Sequence, residues 1–222
     1  MKLDEFADAN APKDGTGRFQ LESDKLLDVA LDGSAMLKAG SMVGHTGDVS
    51  FTGKSSAEGG LTGFLKQKVT SEGTPIMEAS GAGHVYVADQ GKKIQILELA
   101  AGESLSVNGN DILAFESSVD YSIGTVGSFS ATKAGGLVNV YLEGPGNVAI
   151  TTHGDPLVLT PPVKTDPDAT VAWSGSLSPG RSSNLNLGDM VGQSSGERYQ
   201  LDFSGSDGFV IVQPYEEVQP EQ

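Results

Sequence analysis

The sequence predicts an all-β protein whose body is one unit of about 60 residues written three times. Three observations carry that prediction. Apolar residues alternate with period two, 30 of the 222 residues are glycine where a share of about 7% is usual, and two short motifs alternate three times along the chain. Period-two alternation marks a strand with one buried face. Interior Gly, roughly 1 kcal/mol worse than Ala, disfavours long helices.

Taken in chain order, residues 1–16 read as a polar, poorly ordered arm containing Asp8, Asn10, Pro12, Asp14 and Gly15. Residues 17–214 read as a single body, because no Pro- or Ser-rich stretch is long enough to divide it. Residues 215–222 are an acidic tail with nothing to bury. A body of this size can bury roughly 70% of its unfolded surface, enough for one all-β core.

The first strands are 26–31 and 36–37, followed by Val49-Ser50-Phe51. Residues 61–69 have the one plausible helical pattern, weakened by Gly63 and by their short length. Then comes Ile76-Met77-Glu78-Ala79, leading into Ser80-Gly81-Ala82-Gly83-His84-Val85-Tyr86-Val87. That glycine motif returns as Glu143-Gly144-Pro145-Gly146-Asn147-Val148-Ala149-Ile150 after the strand 138–142. It returns more loosely as Ser204-Gly205-Ser206-Asp207-Gly208-Phe209-Val210-Ile211 after the strand 199–203. The second glycines (83, 146, 208) are 63 and 62 residues apart. Strand, glycine turn, strand is the signature of a β-hairpin.

A second motif interleaves with the first. Val49-Ser50-Phe51, Leu113-Ala114-Phe115 and Val171-Ala172-Trp173 each set an aliphatic residue two before an aromatic one. From each aromatic to the next second glycine is 32, 31 and 35 residues. The three aromatics read as core plugs, one per repeat. Strands 94–97 with 105–107, and 157–159, fill the intervals. After the third glycine motif only 209–214 remain, so the last strand is expected beside the N-terminal segment, closing a ring.

Charge and composition exclude several functions. The formal charge is −15, and between Ile94 and Val163 the one basic residue is Lys133. Nucleic acid is bound chiefly through Lys and Arg that displace counterions, so the field argues against it, apart from local patches at Lys66/Lys68 and Lys92-Lys93. Zero cysteines removes disulfides, thiolate catalysis and thiolate metal sites. No apolar run approaches the roughly 18 residues of an integral membrane segment. The acidic start, Met1-Lys2-Leu3-Asp4-Glu5, is unlike a basic targeting signal and points to the cytoplasm.

Three stretches together resemble the altered inheritance of mitochondria protein 24 family. They are Leu31-Asp32-Gly33 running on to Lys38-Ala39-Gly40-Ser41-Met42-Val43, Gly144 to Gly154 leading towards Val171-Ala172-Trp173-Ser174, and Gly205 to Gly208 before Phe209-Val210-Ile211-Val212-Gln213-Pro214. The likeness covers about residues 18–214. It implies a fold like the tryptophan RNA-binding attenuation protein, with three β-sandwich or jelly-roll-like units about a pseudo-threefold axis. Eukaryotic relatives are linked to mitochondrial inner-membrane organisation. This chain is similar to the bacterial sort, to which that role does not carry over.

No residue is assigned as catalytic, cofactor-binding or metal-ligating. Gly192-Gln193-Ser194-Ser195-Gly196 matches the serine-hydrolase elbow, but that elbow needs a helix and a later histidine. His45, His84 and His153 all come earlier, so a glycine turn is the better reading. Gly53-Lys54-Ser55 lacks the upstream glycine of a phosphate loop and reads as a loop after a strand. The histidines do not fall at equivalent repeat positions, and His45/Asp48 or His153/Asp155 offers too few ligands for zinc. The expected function is a non-catalytic β scaffold that binds another protein or itself, without cofactor. The alternative is a nucleic-acid or small-ligand module on the fold's surface.

Overall fold

The structure is a computed structural model and describes residues 1–54, 76–126, 138–182 and 200–216. Among them the one helix is α1 (Leu3–Ala9), and everything else regular is strand. After the short β1 (Phe19–Ser23) come three long strands, β2 (Leu26–Lys38), β3 (Met42–Lys54) and β4 (Ile76–Val87). Six shorter ones follow: β5 (Lys93–Leu99), β6 (Ser104–Asn108), β7 (Ile112–Glu116), β8 (Asp120–Thr125), β9 (Val138–Glu143) and β10 (Gly146–Thr152). Six more complete the chain: β11 (Leu157–Leu159), β12 (Val163–Thr165), β13 (Thr170–Ser174), β14 (Gly180–Ser182), β15 (Gln200–Phe203) and β16 (Val210–Val212).

The described strands make three sheets, all of antiparallel pairs. One runs β3-β4-β2-β7-β10-β5 with β1 beside β2, the second β11-β16-β13-β6-β9-β8, the third β12-β15-β14. Central strands lose the one-sided pattern because both faces are covered. β7, Ile-Leu-Ala-Phe-Glu, is buried at every residue, and β13 at four of five. The apolar interior forms three clusters, around Phe115 and Ile150, around Leu27 and Val85, and around Trp173 and Phe203.

The all-β expectation holds, but the glycine motifs are not hairpin turns. In the first copy Gly81 and Gly83 lie inside β4, a continuous strand paired with β2 on one side and β3 on the other. In the second copy β9 pairs with β6 and β8 while β10 pairs with β5 and β7, so the chain changes sheet at Gly144-Pro145. In the third copy β15 and β16 likewise belong to different sheets. In the first two copies glycine marks a corner or crossing where two backbones approach closely. Gly83 (φ +149°) sits opposite Gly47 (φ +81°). A Cβ on Gly83 would run into the Thr46 carbonyl oxygen, and one on Gly47 into that of Ala82.

Other expectations change for the same reason, that strand partners are not sequence neighbours. Strands 94–97 and 105–107 are not a pair; they lie in different sheets as β5 and β6. The last strand does not close a ring against the N-terminus: β16 sits between β11 and β13, whereas β2 is flanked by β1, β4 and β7. Strands 26–31 and 36–37 are one strand, β2. The helix expected at 61–69 lies outside the described residues.

The arm 1–16 carries a helix where none was expected. Asp4 and Glu5 sit in the first turn of α1, where the N–H groups are unpaired, and Glu5 accepts from the Lys2 backbone at 3.0 Å. No residue of α1 is buried.

The aromatic motif is in phase twice, not three times. Phe115 is fully buried and faces Val148; Trp173, 1% exposed, faces Val210, each partner two residues after the repeat glycine. The matching residue of the first copy, Val85, faces His45 in β3. Phe51 lies six residues on, half-buried, its ring 5.5 Å from that of His45.

Replacing Gly83 by Ala is expected to cost roughly 3 kcal/mol, a strained φ adding to overpacking. Gly44→Ala, where a Cβ meets nothing within 4 Å, is expected to stay within about 0.5 kcal/mol. Urea unfolding of the two variants checks the contrast.

Candidate functional site

Charged groups collect where the end of β2, the β4–β5 turn, the β6–β7 turn and β10 meet. Lys38 Nζ lies 2.8 Å from Asp89 Oδ2 and donates to the Asn110 carbonyl at 2.7 Å. Lys92 Nζ reaches Asp111 Oδ1 at 2.9 Å, with side chains only 5% and 1% exposed. The Thr151 hydroxyl, on β10, is 3.3 Å from both Asp89 Oδ2 and the Asp111 carbonyl. Two ammonium groups and two carboxylates are thus held together, the lysines sharing the Asn110 carbonyl and Thr151 bridging Asp89 and Asp111. Isolated, each buried ion would cost several kcal/mol; paired and hydrogen-bonded, they tie β2 and β4 to β7 and β10.

The sequence read Lys92-Lys93 as a basic patch. Burial removes it: Lys92 is spent on Asp111, and Lys93 on Asp155 at 2.7 Å. The hydrogen bond to Asp155 and its charge raise the Lys93 pKa. The other patch, Lys66/Lys68, lies outside the described residues.

A second cluster lies where β1, β2 and β4 run side by side. His84 Nδ1 is 2.9–3.0 Å from both carboxylate oxygens of Asp28, a residue 5% exposed. The His84 ring stacks on Tyr86 at 6.5 Å. Burial, with the charges of Asp28 and Glu22, pushes the Tyr86 phenol up, so it stays protonated at neutral pH. A carboxylate-oriented imidazole supplies the general base, which is half of a base–nucleophile pair. The other half is a nucleophile, and among the described residues no hydroxyl is bonded to this ring. Sequence reading missed the pair because Asp28 and His84 are 56 residues apart and only the β2–β4 register joins them.

The three histidines do not converge. His45 packs on Phe51, His84 binds Asp28, and His153 lies 4.1 Å ring to ring from Tyr215. Among the described residues no three His, Asp or Glu are placed to hold a metal ion. The Gly192–Gly196 match, with Ser194 and Ser195, lies outside the described residues. Gly53 and Lys54 end strand β3, and Ser55 onwards lies outside. Phe115 and Trp173 are buried and offer no stacking platform to a base. Among the described residues the large exposed apolar side chains are Met1, Leu3 and Phe6 at the N-terminus, Met42 and Val43 at the start of β3, Tyr141 on β9, Leu157 and Val158 on β11, and Phe209 and Tyr215 on either side of β16.

Lys92→Met removes the ammonium that offsets the Asp111 carboxylate and is expected to cost about 3–5 kcal/mol in urea unfolding. The double change Lys92→Met, Asp111→Leu is expected to cost less than the two single changes summed, as for directly coupled groups.

The fold matches that of a solved bacterial protein, SPYM3_0169 from Streptococcus pyogenes, with a TM-score of 0.70 at 24% identity over 89% of this chain and 92% of that one. That likeness shows the fold alone. No curated protein matches in sequence. No helix among the described residues is long and apolar enough to cross a membrane. The family model for mitochondrial biogenesis AIM24 matches residues 19–215. With nearly all of the body covered by that match, the chain belongs to the AIM24 family.

Proposed function

We propose that the protein is a non-catalytic β scaffold that binds another protein or assembles with itself. Its body, in this reading, is three copies of a six-strand unit about a pseudo-threefold axis, as in the tryptophan RNA-binding attenuation protein fold.

The strand pairing supports the triplication. β9 lies between β6 and β8, and β10 between β5 and β7. β15 lies between β12 and β14, and β16 between β11 and β13. In the first copy both halves of β4 lie between β2 and β3, so three long bent strands stand for six short ones. The seams between copies also correspond: Met36 of β2 faces Phe115 of β7, and Ser106 of β6 faces Trp173 of β13.

The observation that carries the functional reading is where the reactive groups go. Lys38, Lys92, Asp89, Asp111 and the Asp28–His84 pair all end in internal contacts. Exposed strand edges and apolar side chains are what the surface presents. Such features recognise other polypeptides, by edge pairing or apolar contact.

Crosslinking in native cells, with sedimentation of the purified protein, tests this. The expected outcome is a recovered protein partner or a concentration-dependent oligomer, with no RNA gel shift at low salt. Substrate turnover by a strictly monomeric protein that recovers no partner overturns it, and a salt-sensitive RNA shift favours the nucleic-acid alternative.

A further inference from the structure

The outer edge of β3 is a 13-residue row of backbone donors and acceptors that pairs with nothing among the described residues. Edges of this kind are usually blunted by Lys, Pro or extreme shortness. β12 carries Lys164 at its centre, β11 and β14 have only three residues, and β8, which also lacks Lys, Arg and Pro, has six against the thirteen of β3. β3 has no Arg or Pro, its one Lys is its last residue, Lys54, and its pairing with β4 is regular but for a bulge at Val43. Its first two side chains, Met42 and Val43, are 39% and 61% exposed.

We propose that β3 pairs antiparallel with β3 of a second copy, across a twofold axis passing through Gly47. This rests on the self-assembly reading above and names its partner and surface.

The shape of β3 selects the occupant. His45 and Phe51 are six residues apart, about 20 Å along a straight strand, yet their rings are 5.5 Å apart. β3 therefore bends sharply between them, at Gly47, whose φ is +81°. A strand added to this edge must bend along the same line. A second β3 does so, being bent at its own middle.

Symmetry then sets the register. Side chains alternate faces, so a twofold antiparallel pair must place one residue opposite its own copy. Choosing Thr46 puts the two bends out of step, and choosing Asp48 sets like charges face to face. Gly47 aligns the bends. It places Gly44 opposite Ser50 of the second copy, His45 opposite Val49, Thr46 opposite Asp48, and Val43 opposite Phe51. Exposed Val43 thereby gains an apolar partner, and Asp48 gains a hydroxyl.

The chain has no native cysteine, which makes the test clean. Gly44→Cys protein is mixed with Ser50→Cys protein and oxidised, and sedimentation is run on wild type and Val43→Lys. A Cβ at Gly44 meets nothing within 4 Å, and Val43 is exposed, so neither change threatens folding. The expected result is a disulfide-linked heterodimer from 44 with 50, none from Gly44→Cys with Thr46→Cys, and a dimer weakened at least about tenfold by Val43→Lys. Oligomers that persist in Val43→Lys without the 44–50 link overturn this edge but leave self-assembly standing. A wild-type protein that stays monomeric at every concentration overturns both this edge and self-assembly, leaving another protein as the scaffold's partner.

Discussion

A strand that turns a corner or leaves one sheet for the next must pass a point where another backbone is nearly in contact. In this chain those points are occupied by glycine. At the first, β4 bends against β3, and carbonyl oxygens of each strand fill the space a Cβ would need on Gly83 and Gly47. At the second, between β9 and β10, a Cβ on Gly144 would lie 2.7 Å from that of Leu99. At the third the neighbour is a side chain, not a backbone: a Cβ on Gly208, whose φ is +93°, would press on Leu177 at 3.2 Å. The three apolar clusters lie against these passages, so widening one would open a cavity beside residues such as Val85, Val148 or Val210, all fully buried.

That constraint explains which parts of the fold were legible in the sequence. The spacing of Gly83, Gly146 and Gly208 is visible because all three hold a positive φ (+149°, +146° and +93°), a backbone conformation that favours one residue type. What the glycines do was misread, since a hairpin and a sheet crossing share the local signature of strand, glycine, strand. Only the pairing of β9 with β6 and β10 with β5, about 30 to 60 residues away, separates the two. The aromatic motif failed once for a related reason. Phe115 and Trp173 occupy a shared structural position, whereas Phe51 matches them in sequence but not in register. The first copy fills that position with His45, which no aromatic search would find.

Charged residues were the least legible part of the candidate site. Lys92 and Lys93 are adjacent in sequence, yet one is 5% exposed and the other points to Asp155. Side-chain alternation along a strand sends neighbours to opposite faces, so a pair that reads as a basic patch is divided between interior and surface. Asp28 and His84 show the converse. Neither carries a local signal, and the register of β2 with β4 makes them partners. An acidic chain poor in cations thus commits several of its lysines to internal ion pairs, which further weakens any claim on phosphate.

The seams between copies tie the proposed triplication to the free edge. At two seams the outward residue of one copy is small or apolar, Met36 or Ser106, and is buried against an aromatic, Phe115 or Trp173. By the pairing with β4, β9 and β15, the third counterpart is Lys164, opposite Asp202 where Met36 has Glu78 and Ser106 has Tyr141. Its partner across the seam would be His45. Burying an ammonium against an imidazole costs more than the strand pairing returns. Lys164 instead stays half-exposed, 3.3 Å from Asp202 and 2.9 Å from the Ser182 hydroxyl. In the proposed arrangement, two substitutions in an otherwise repeated seam therefore leave β12 guarded by its lysine and β3 without one before Lys54. In the proposed triplication one copy thus acquires a thirteen-residue edge with no lysine in its interior, and a single edge of that length suits a defined, rather than open-ended, association.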